Sequence, residues 1–253
     1  MKRGEPCSRA RKRASKRRFF FRRPNRLKII KNLRTLGYEK ALNQSALLIE
    51  TGPYLVYQMI SQDTRQIPTM RQRPEEPVHF VQFYENDSFI IEKISRRAAK
   101  ALKIGGSCVL VATGPHLADL EARLHLLGMD LESVRAQGRY VALDAADTLA
   151  RFMVDGAPDR IEFNKVVGDV IARATRQSHF VSVFGEMVAL LCAENNSSAA
   201  IQLEQLWNDL ARTYRFSLCC AYPLTAFAND WEGNALLQVC AEHSLALPAE
   251  DPL

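Results

Sequence analysis

The sequence predicts an α/β domain in which a mainly parallel sheet is flanked by helices on both faces, as a three-layer sandwich. From Val78 onward, short apolar runs of strand length alternate with longer segments whose apolar residues recur at helical spacing. Strands that alternate with helices form parallel sheets, because each helix returns the chain to the end of the sheet at which the previous strand began. Glycine and proline stand at many of the boundaries.

Each predicted helix and strand follows from a local pattern in the sequence. Strands are assigned to short runs rich in β-branched, aromatic and aliphatic residues, and helices to segments with one apolar face. Pro115 opens one helix, while Gly105-Gly106 and Gly128 end two helices. The expected elements are strand 78–83, helix 87–103, strand 108–113, a helix from Pro115 to Gly128, a turn at 131–137, strand 139–143, helix 146–154, helix 158–176, strand 180–184, a short helix to about 194, helix 197–214, strand 217–222 and helix 234–243.

The first 31 residues form a strongly basic tail. They hold 14 Lys and Arg residues and one acid, so we expect disorder, because such a composition buries too little apolar surface to fold alone. Residues 1–74 contain 19 of the 34 basic and four of the 28 acidic residues, which gives +15 there and −9 in the remainder. A nucleic-acid-binding arm would use Arg11, Lys12, Arg13, Lys16, Arg17 and Arg18. The alternatives are a solvated tail, or an upstream extension with translation starting at Met59 or Met70.

The remainder divides into two further regions. Residues 32–77 contain some helical periodicity, followed by a proline-containing linker. The domain itself is expected over 78–250. No signal peptide is evident, and the apolar stretch 41–60 is interrupted by polar residues, so we expect a cytoplasmic protein without a membrane span.

The cysteines suggest neither disulfides nor a metal site. They form no CxxC pair and no metal-type spacing with histidine, so we expect buried, reduced thiols, no metal ion and no cofactor. The six are Cys7, Cys108, Cys192, Cys219, Cys220 and Cys240.

The turn after the first strand, Tyr84-Glu85-Asn86-Asp87, lacks the residues that bind a phosphate. Phosphate loops need glycines, so that backbone N–H groups converge, and a lysine that balances the charge. This turn has neither, and its two carboxylates would repel a triphosphate by on the order of a few kcal/mol. The chain also contains no GxSxG, HExxH, GxxxxGK[ST] or GxGxxG motif, so we expect no catalysis.

The candidate site lies where ligands of open parallel sheets bind, beyond the carboxyl ends of the strands. Glu186 is the strongest candidate, because it follows an apolar strand and could hydrogen-bond a polar ligand or act as a general base. The candidate ligand-binding residues are Tyr84, Asn86, Asp87, Thr113, His116, Asp144, Glu186 and Tyr222.

Several of these positions have a structural interpretation as well. Asp87 and Asp144 could each cap the helix that follows. His116, in the first turn of a helix, is expected to be exposed, while His79, inside a strand, is expected to be a satisfied structural histidine. Trp207 is expected in the core.

Five separated blocks resemble the MEDS domain, the sensory domain named for methanogens, methylotrophs and the dichloromethane-responsive regulator. The blocks are His79-Phe-Val-Gln-Phe-Tyr-Glu-Asn-Asp-Ser-Phe89, Val109-Leu-Val-Ala-Thr113, Gln137-Gly-Arg-Tyr-Val-Ala-Leu-Asp-Ala145, Phe184-Gly-Glu-Met-Val188 and Leu206-Trp-Asn-Asp-Leu210. The family is similar to the KaiC/RecA ATPase fold but has degenerate nucleotide motifs. The resemblance implies that residues 84–88 replace the phosphate loop and that Gly185-Glu186 lies near the second nucleotide motif.

The resemblance also implies a function. We expect a sensor of small organic molecules, such as hydrocarbon derivatives, acting without catalysis in bacterial or archaeal signal transduction or transcription regulation. No kinase, receiver or helix-turn-helix pattern accompanies the domain, so the signal would pass to a histidine kinase or regulator in trans, or through the basic arm. The alternatives are a degenerate RecA-like ATPase or hydrolase using Glu186, and a nucleic-acid-binding regulator using residues 1–31. The ligand and the oligomeric state are left open.

Overall fold

The computed structural model describes residues 78–228, 230 and 234–249. The predictions for the basic tail, including its six candidate nucleic-acid-binding residues, and for residues 32–77 lie outside the described residues.

A six-stranded, fully parallel sheet forms the middle layer. Its strands are β1 (His79–Tyr84), β2 (Ser107–Ala112), β3 (Tyr140–Asp144), β6 (Val181–Gly185), β7 (Ser217–Pro223) and β8 (Leu245–Leu247). Across the sheet they lie in the order β3-β2-β6-β7-β1-β8. Strands β2, β6 and nearly all of β7 are buried, as expected for strands covered on both faces.

Helices cover both faces of the sheet, which confirms the predicted three-layer α/β class. On one face lie α1 (Asp87–Lys103), α2 (Gly114–Leu126) and α3 (Leu131–Ala136). On the other face lie α4 (Ala145–Ala150), α5 (Arg160–Phe163), α6 (Asp169–Gln177), α7 (Met187–Ala193), α8 (Ser197–Thr213) and α9 (Asn234–Glu242). Trp207 of α8 is 1% exposed in this second core, as predicted.

The first helix begins and ends where the sequence indicates. The side chain of Asn86 caps it by accepting a hydrogen bond from the N–H of Ser88, and Lys100 and Lys103 lie in its last turn, where cations stabilise the helix dipole. The chain then passes through Gly105 with φ of +81°. At Gly106 the backbone is so close to its neighbours that a Cβ would lie 2.8 Å from the carbonyl oxygens of Ala101 and Phe180.

The prediction of a turn at 131–137 is wrong, because residues 131–136 form the helix α3. Asp130 caps this helix through a hydrogen bond from the N–H of Ser133, and Leu131 and Val134 are buried one turn apart. A capping carboxylate and two core contacts are enough to hold a two-turn helix on the sheet.

The helix expected at 146–154 is shorter than predicted, whereas the helix expected at 158–176 is present over 160–177 with a π-helical turn within it. Helix α4 ends at Ala150, and a hairpin of β4 (Met153–Val154) and β5 (Ala157–Pro158) follows. Its turn residues Asp155 and Gly156 both have positive φ, the conformation that an Asp-Gly turn favours between strands. A π-helical turn, Asn164–Gly168, joins α5 to α6.

Strand β8 was not predicted. It has three residues, pairs in parallel with β1 at the sheet edge, and follows closely after α9. Three residues are too few for an alternating pattern to distinguish a strand from the end of a helix. Within the described ranges, we find no helix with the length and apolar character needed to cross a membrane.

Candidate functional site

Strands β2 and β6 are neighbours in the sheet, but the helices that follow them pack on opposite faces. Helix α2 follows β2 onto one face, while α7 follows β6 onto the other. Chain directions that diverge in this way open a crevice at the carboxyl ends of the strands, which is the usual ligand site of open α/β sheets. Thr113 and Glu186 stand at the two sides of this divergence.

Glu186 is buried at 2% exposure, and its carboxylate is held on both oxygens. Oε2 accepts hydrogen bonds from the backbone N–H of Thr113 at 3.0 Å and from its hydroxyl at 3.4 Å. Oε1 lies 2.5 Å from Nδ1 of His116. Although it follows an apolar strand, this carboxylate lies among polar partners.

His116 connects Glu186 to the turn after β1. Its Nε2 lies 3.6 Å from Oδ1 of Asp87, and its ring centroid lies 6.4 Å from that of Tyr84. The side chain of His116 is 12% exposed, so the expectation of an exposed histidine is wrong. It is covered because Glu186, Asp87 and Tyr84 surround the ring. The structure thus brings Tyr84, Asp87, Thr113, His116 and Glu186 together.

The charges at this site shift the protonation of its members. The hydrogen bond to Glu186 raises the pKa of His116, with the charge of Asp87 adding to it against the opposing effect of burial. Burial also raises the pKa of Tyr84, and the nearby charges of Glu186 and Asp87 add to this effect. Tyr84 therefore stays a neutral hydroxyl, while His116 tends towards an imidazolium paired with two carboxylates.

Of the two residues predicted to cap a helix, Asp144 does so and Asp87 does not. Asp144 caps α4 by accepting from the N–H of Asp147 at 3.0 Å, and its Oδ2 also lies near Gly114, at the start of α2. The cap of α1 is Asn86 and not Asp87, because Asp87 already lies in the first helical turn. Asp144 thus remains close to the crevice, whereas the Asn86 side chain holds the backbone of the turn.

Tyr222 lies on the opposite face of the sheet from the other candidates. Its side chain belongs to the core under α8, and its hydroxyl donates to Oε1 of Glu204 at 2.7 Å. Tyr84 faces the core under α1. Side chains alternate between the two faces along a strand, so the ends of β1 and β7 can lie side by side while these two side chains point apart.

A second polar cluster was missed by the sequence analysis. His79, Glu204, Cys220 and His243 place their side-chain ligand atoms within 4.8 Å of one another. The only signal in the sequence is Glu204, an acidic residue among the apolar residues that α8 buries. The partners themselves are up to 164 positions apart, so no local spacing reveals them. The five cysteines in the described residues are free and buried, as predicted, while Cys7 lies outside them.

Comparison with known proteins gives one family. The family model described as MEDS, MEthanogen/methylotroph, DcmR Sensory domain, matches residues 78–244. No curated protein matches the chain. Among solved structures, the Aeropyrum pernix Orc1 protein in complex with DNA is similar with a TM-score of 0.26 and 14% identity. That match covers 73% of this chain and 48% of the Orc1 chain, so this chain spans about half the length of that protein. A similarity at this level supports no conclusion, and the expected likeness to RecA ATPases stays a prediction.

Proposed function

This chain belongs to the MEDS family of sensory domains, and from that premise we propose that it binds a small organic molecule in the crevice between α2 and α7 and signals without catalysis. The observation that carries the proposal is the position of Glu186. A buried carboxylate, held in place on both oxygens, stands at the point where the helices diverge from adjacent strands.

The chemistry of the crevice supports an uncharged ligand. Asp87 and Glu186 place negative charge beside His116, so an anionic ligand meets repulsion and finds its cationic partner already paired. Within the described residues, no hydrogen bond is made by the hydroxyl of Tyr84. That hydroxyl is the group we assign to the ligand's polar atom. The ligand class is therefore a small, neutral molecule with one or two polar groups.

The same geometry argues against hydrolysis of a nucleotide. The turn that would cradle phosphates carries Glu85 and Asp87 and has neither glycine nor lysine. Both oxygens of Glu186 already accept or share hydrogen bonds with Thr113 and His116, so this carboxylate holds these two residues in place. We therefore assign Glu186 an organising role.

Signalling requires that ligand binding favour one conformation over another. A difference in affinity equivalent to about 1–3 kcal/mol between two states is enough for a useful switch. The ion pair of His116 with Glu186 joins the start of α2 to the start of α7, so a ligand that displaces it changes how these two helices are tied together. We propose that a histidine kinase or transcription regulator in trans detects this change.

A thermal-shift screen of the full chain tests the proposal. Small neutral alcohols, aldehydes and halogenated alkanes form one arm, and nucleotides with magnesium form the other. We expect at least one neutral class to raise the Tm in a concentration-dependent way, because ligands that bind only the native state stabilise it. A screen in which nucleotides raise the Tm while every neutral class leaves it unchanged would contradict the proposal.

One observation favours a second candidate function, nucleic-acid binding by the basic arm. The net charge of +15 over residues 1–74 is the electrostatic pattern of a polyanion-binding segment. Binding through phosphate contacts would weaken steeply as salt increases. Replacing Arg11, Lys12 and Arg13 with alanine should then lower both the affinity for DNA or RNA and the slope of its salt dependence, measured by fluorescence anisotropy. An unchanged slope would show that these residues of the basic arm do not contact the nucleic acid.

A further inference from the structure

Four potential metal ligands converge on the face of the sheet opposite the ligand crevice. His79 comes from β1, Glu204 from α8, Cys220 from β7, and His243 directly follows α9. The side chains of Glu204 and His243 are fully buried, and that of His79 is 8% exposed. Polar groups buried this deeply need partners, so their arrangement calls for an explanation.

The outer neighbours of both histidines fix which ring nitrogen carries the proton. Nδ1 of His243 lies 2.6 Å from the carbonyl oxygen of Val239, which can only accept, so Nδ1 donates. Nδ1 of His79 lies 2.8 Å from Oδ1 of Asn208. The amide N–H₂ of Asn208 is directed at the carbonyl and carboxylate of Glu242, both acceptors, which sets the orientation of this amide.

As a result, the Nε2 atoms of both histidines face the cluster. Nε2 of His79 lies 3.2 Å from Oε2 of Glu204 and 3.4 Å from Sγ of Cys220. Nε2 of His243 lies 3.5 Å from Oε1 of Glu204, and within the described part of the chain this buried atom has no hydrogen-bond partner. An imidazole nitrogen and a carboxylate oxygen that both present lone pairs repel each other unless a cation lies between them.

Protons alone cannot supply this cation at both histidines. The two rings are in contact, with centroids 4.1 Å apart, so a charge on one disfavours a charge on the other. A protonated His79 could pair with Glu204, but His243 would still direct an unshared lone pair into the core.

We propose that this cluster binds one divalent transition-metal ion of the zinc class, through Nε2 of His79 and His243, the carboxylate of Glu204 and the thiolate of Cys220. Tetrahedral bonds of about 2.0–2.3 Å separate ligand atoms by about 3.3–3.6 Å. Separations of 3.2, 3.3 and 3.4 Å join Nε2 of His79, Oε2 of Glu204 and Sγ of Cys220, which agrees with this geometry. Nε2 of His243 lies 3.5 Å from the other carboxylate oxygen, and the four ligand atoms lie within 4.8 Å of one another, so the His243 ring would move inwards when the ion binds. The two anionic ligands balance the charge of the ion, so the filled site is neutral inside the core.

The site has the properties of a structural metal site. All four ligands come from the protein and the site is buried, so no position is left open for a substrate. Hydrogen bonds from the Nδ1 atoms to Asn208 and Val239 are the outer contacts that orient metal-binding histidines. The ion would join β1, β7 and α8 to the segment between α9 and β8, and it would stabilise the fold in which the crevice forms.

Cobalt(II) and zinc binding to the untagged full chain, after treatment with a chelator, tests this proposal. We expect one ion per chain, a tetrahedral cobalt spectrum with a thiolate-to-cobalt charge-transfer band, loss of cobalt colour on adding zinc, and a higher Tm with zinc. Cys220→Ser should abolish the charge-transfer band. Cys219→Ser is the matched control, because Cys219 is buried on the same strand but faces the opposite core.

A variant outside the proposed ligand set tests the proposal independently in case Cys220→Ser does not fold. Asn208→Ala should keep the charge-transfer band and weaken zinc binding by about 10- to 100-fold, as expected when an outer hydrogen bond to a metal ligand is lost. His125→Gln should leave metal binding unchanged, since His125 is exposed on α2, on the other face of the sheet. The proposal is overturned if the unmodified chain shows no thiolate–cobalt band, or if Cys219→Ser removes the band and Cys220→Ser retains it.

Discussion

Nδ1 of His116 lies 2.5 Å from Oε1 of Glu186, although the two residues are 70 positions apart in the chain. The contact exists because β2 and β6 are adjacent in the sheet, so that the helices following them begin side by side. It places a histidine whose pKa is raised and a buried carboxylate at the divergence of α2 and α7. Most of the testable consequences of the proposed sensor follow from this pair.

The stabilising effect of His116 should depend on pH. Its pKa is higher in the folded than in the unfolded state, because of the hydrogen bond to Glu186 and the charge of Asp87. Protonated His116 therefore stabilises the fold fully below about pH 6.5, the usual histidine pKa, and this effect is lost as the pH rises through the raised pKa.

We expect His116→Gln to lower the free energy of unfolding by about 1 kcal/mol below that pH and by less above it. Urea denaturation at a series of pH values measures the difference. The control is His125→Gln on the exposed side of the same helix, where a surface change of within about 0.5 kcal/mol is expected. A cost for His116→Gln that grows with pH would contradict the assignment.

The two tyrosines that the sequence assigned to one site should respond differently to loss of their hydroxyls. Tyr84→Phe should weaken binding of a neutral ligand by about 5- to 20-fold, equivalent to one hydrogen bond, with little change in Tm. Tyr222→Phe removes the donor to buried Glu204, so it should lower the Tm and leave ligand affinity unchanged. Calorimetric titration and thermal melts separate these effects, and equal losses of affinity in both variants would refute the placement.

Nucleotides should not bind in the turn after β1. The start of α1 carries Asp87 in its first turn, and the capping side chain of Asn86 already takes the N–H of Ser88. Fluorescent ATP with magnesium should therefore show no saturable binding at micromolar concentration. Asp87→Lys, which supplies a cation at the same position, should improve any residual binding. Tight magnesium-dependent binding by the unmodified chain would restore the ATPase alternative.

Two glycines near the sheet should tolerate substitution very differently. A Cβ at Gly106 would lie 2.8 Å from two backbone carbonyl oxygens, so Gly106→Ala should cost about 1–3 kcal/mol or more of unfolding free energy. At Gly114 the nearest atom, Oδ2 of Asp144, would lie 3.6 Å away, so Gly114→Ala should be nearly neutral. Chemical denaturation compares them, and a similar cost at both positions would contradict the described packing.

The fold was largely predictable because its strands and its long helices are strongly patterned. β1, α1 and α8 lie within one or two residues of their predicted bounds, since continuous apolar runs and apolar faces determine them. The short elements α3 and β8 were missed, because six and three residues carry too little periodicity. The hairpin at Asp155-Gly156 was missed because each of its strands has only two residues, although Asp-Gly is itself a turn signal.

The site was predictable only at the level of strand ends. Sequence order places Thr113, His116 and Glu186 after strands, but which strands are neighbours depends on the sheet order, which the pattern does not determine. The face of each side chain is equally dependent on register, so Tyr222 was grouped with residues on the other side of the sheet. The cluster of His79 and Glu204 depends on tertiary packing alone.

Isothermal titration calorimetry tests the central claim, that Glu186 organises a binding crevice for an uncharged molecule. The neutral compound with the largest thermal shift would be titrated into the unmodified chain, Glu186→Gln, and the control Glu194→Gln, whose side chain is exposed at the end of α7. We predict saturable 1:1 binding that weakens at least about tenfold in Glu186→Gln, or about 1.4 kcal/mol, and is unchanged in Glu194→Gln. Equal affinity in all three proteins would contradict the account.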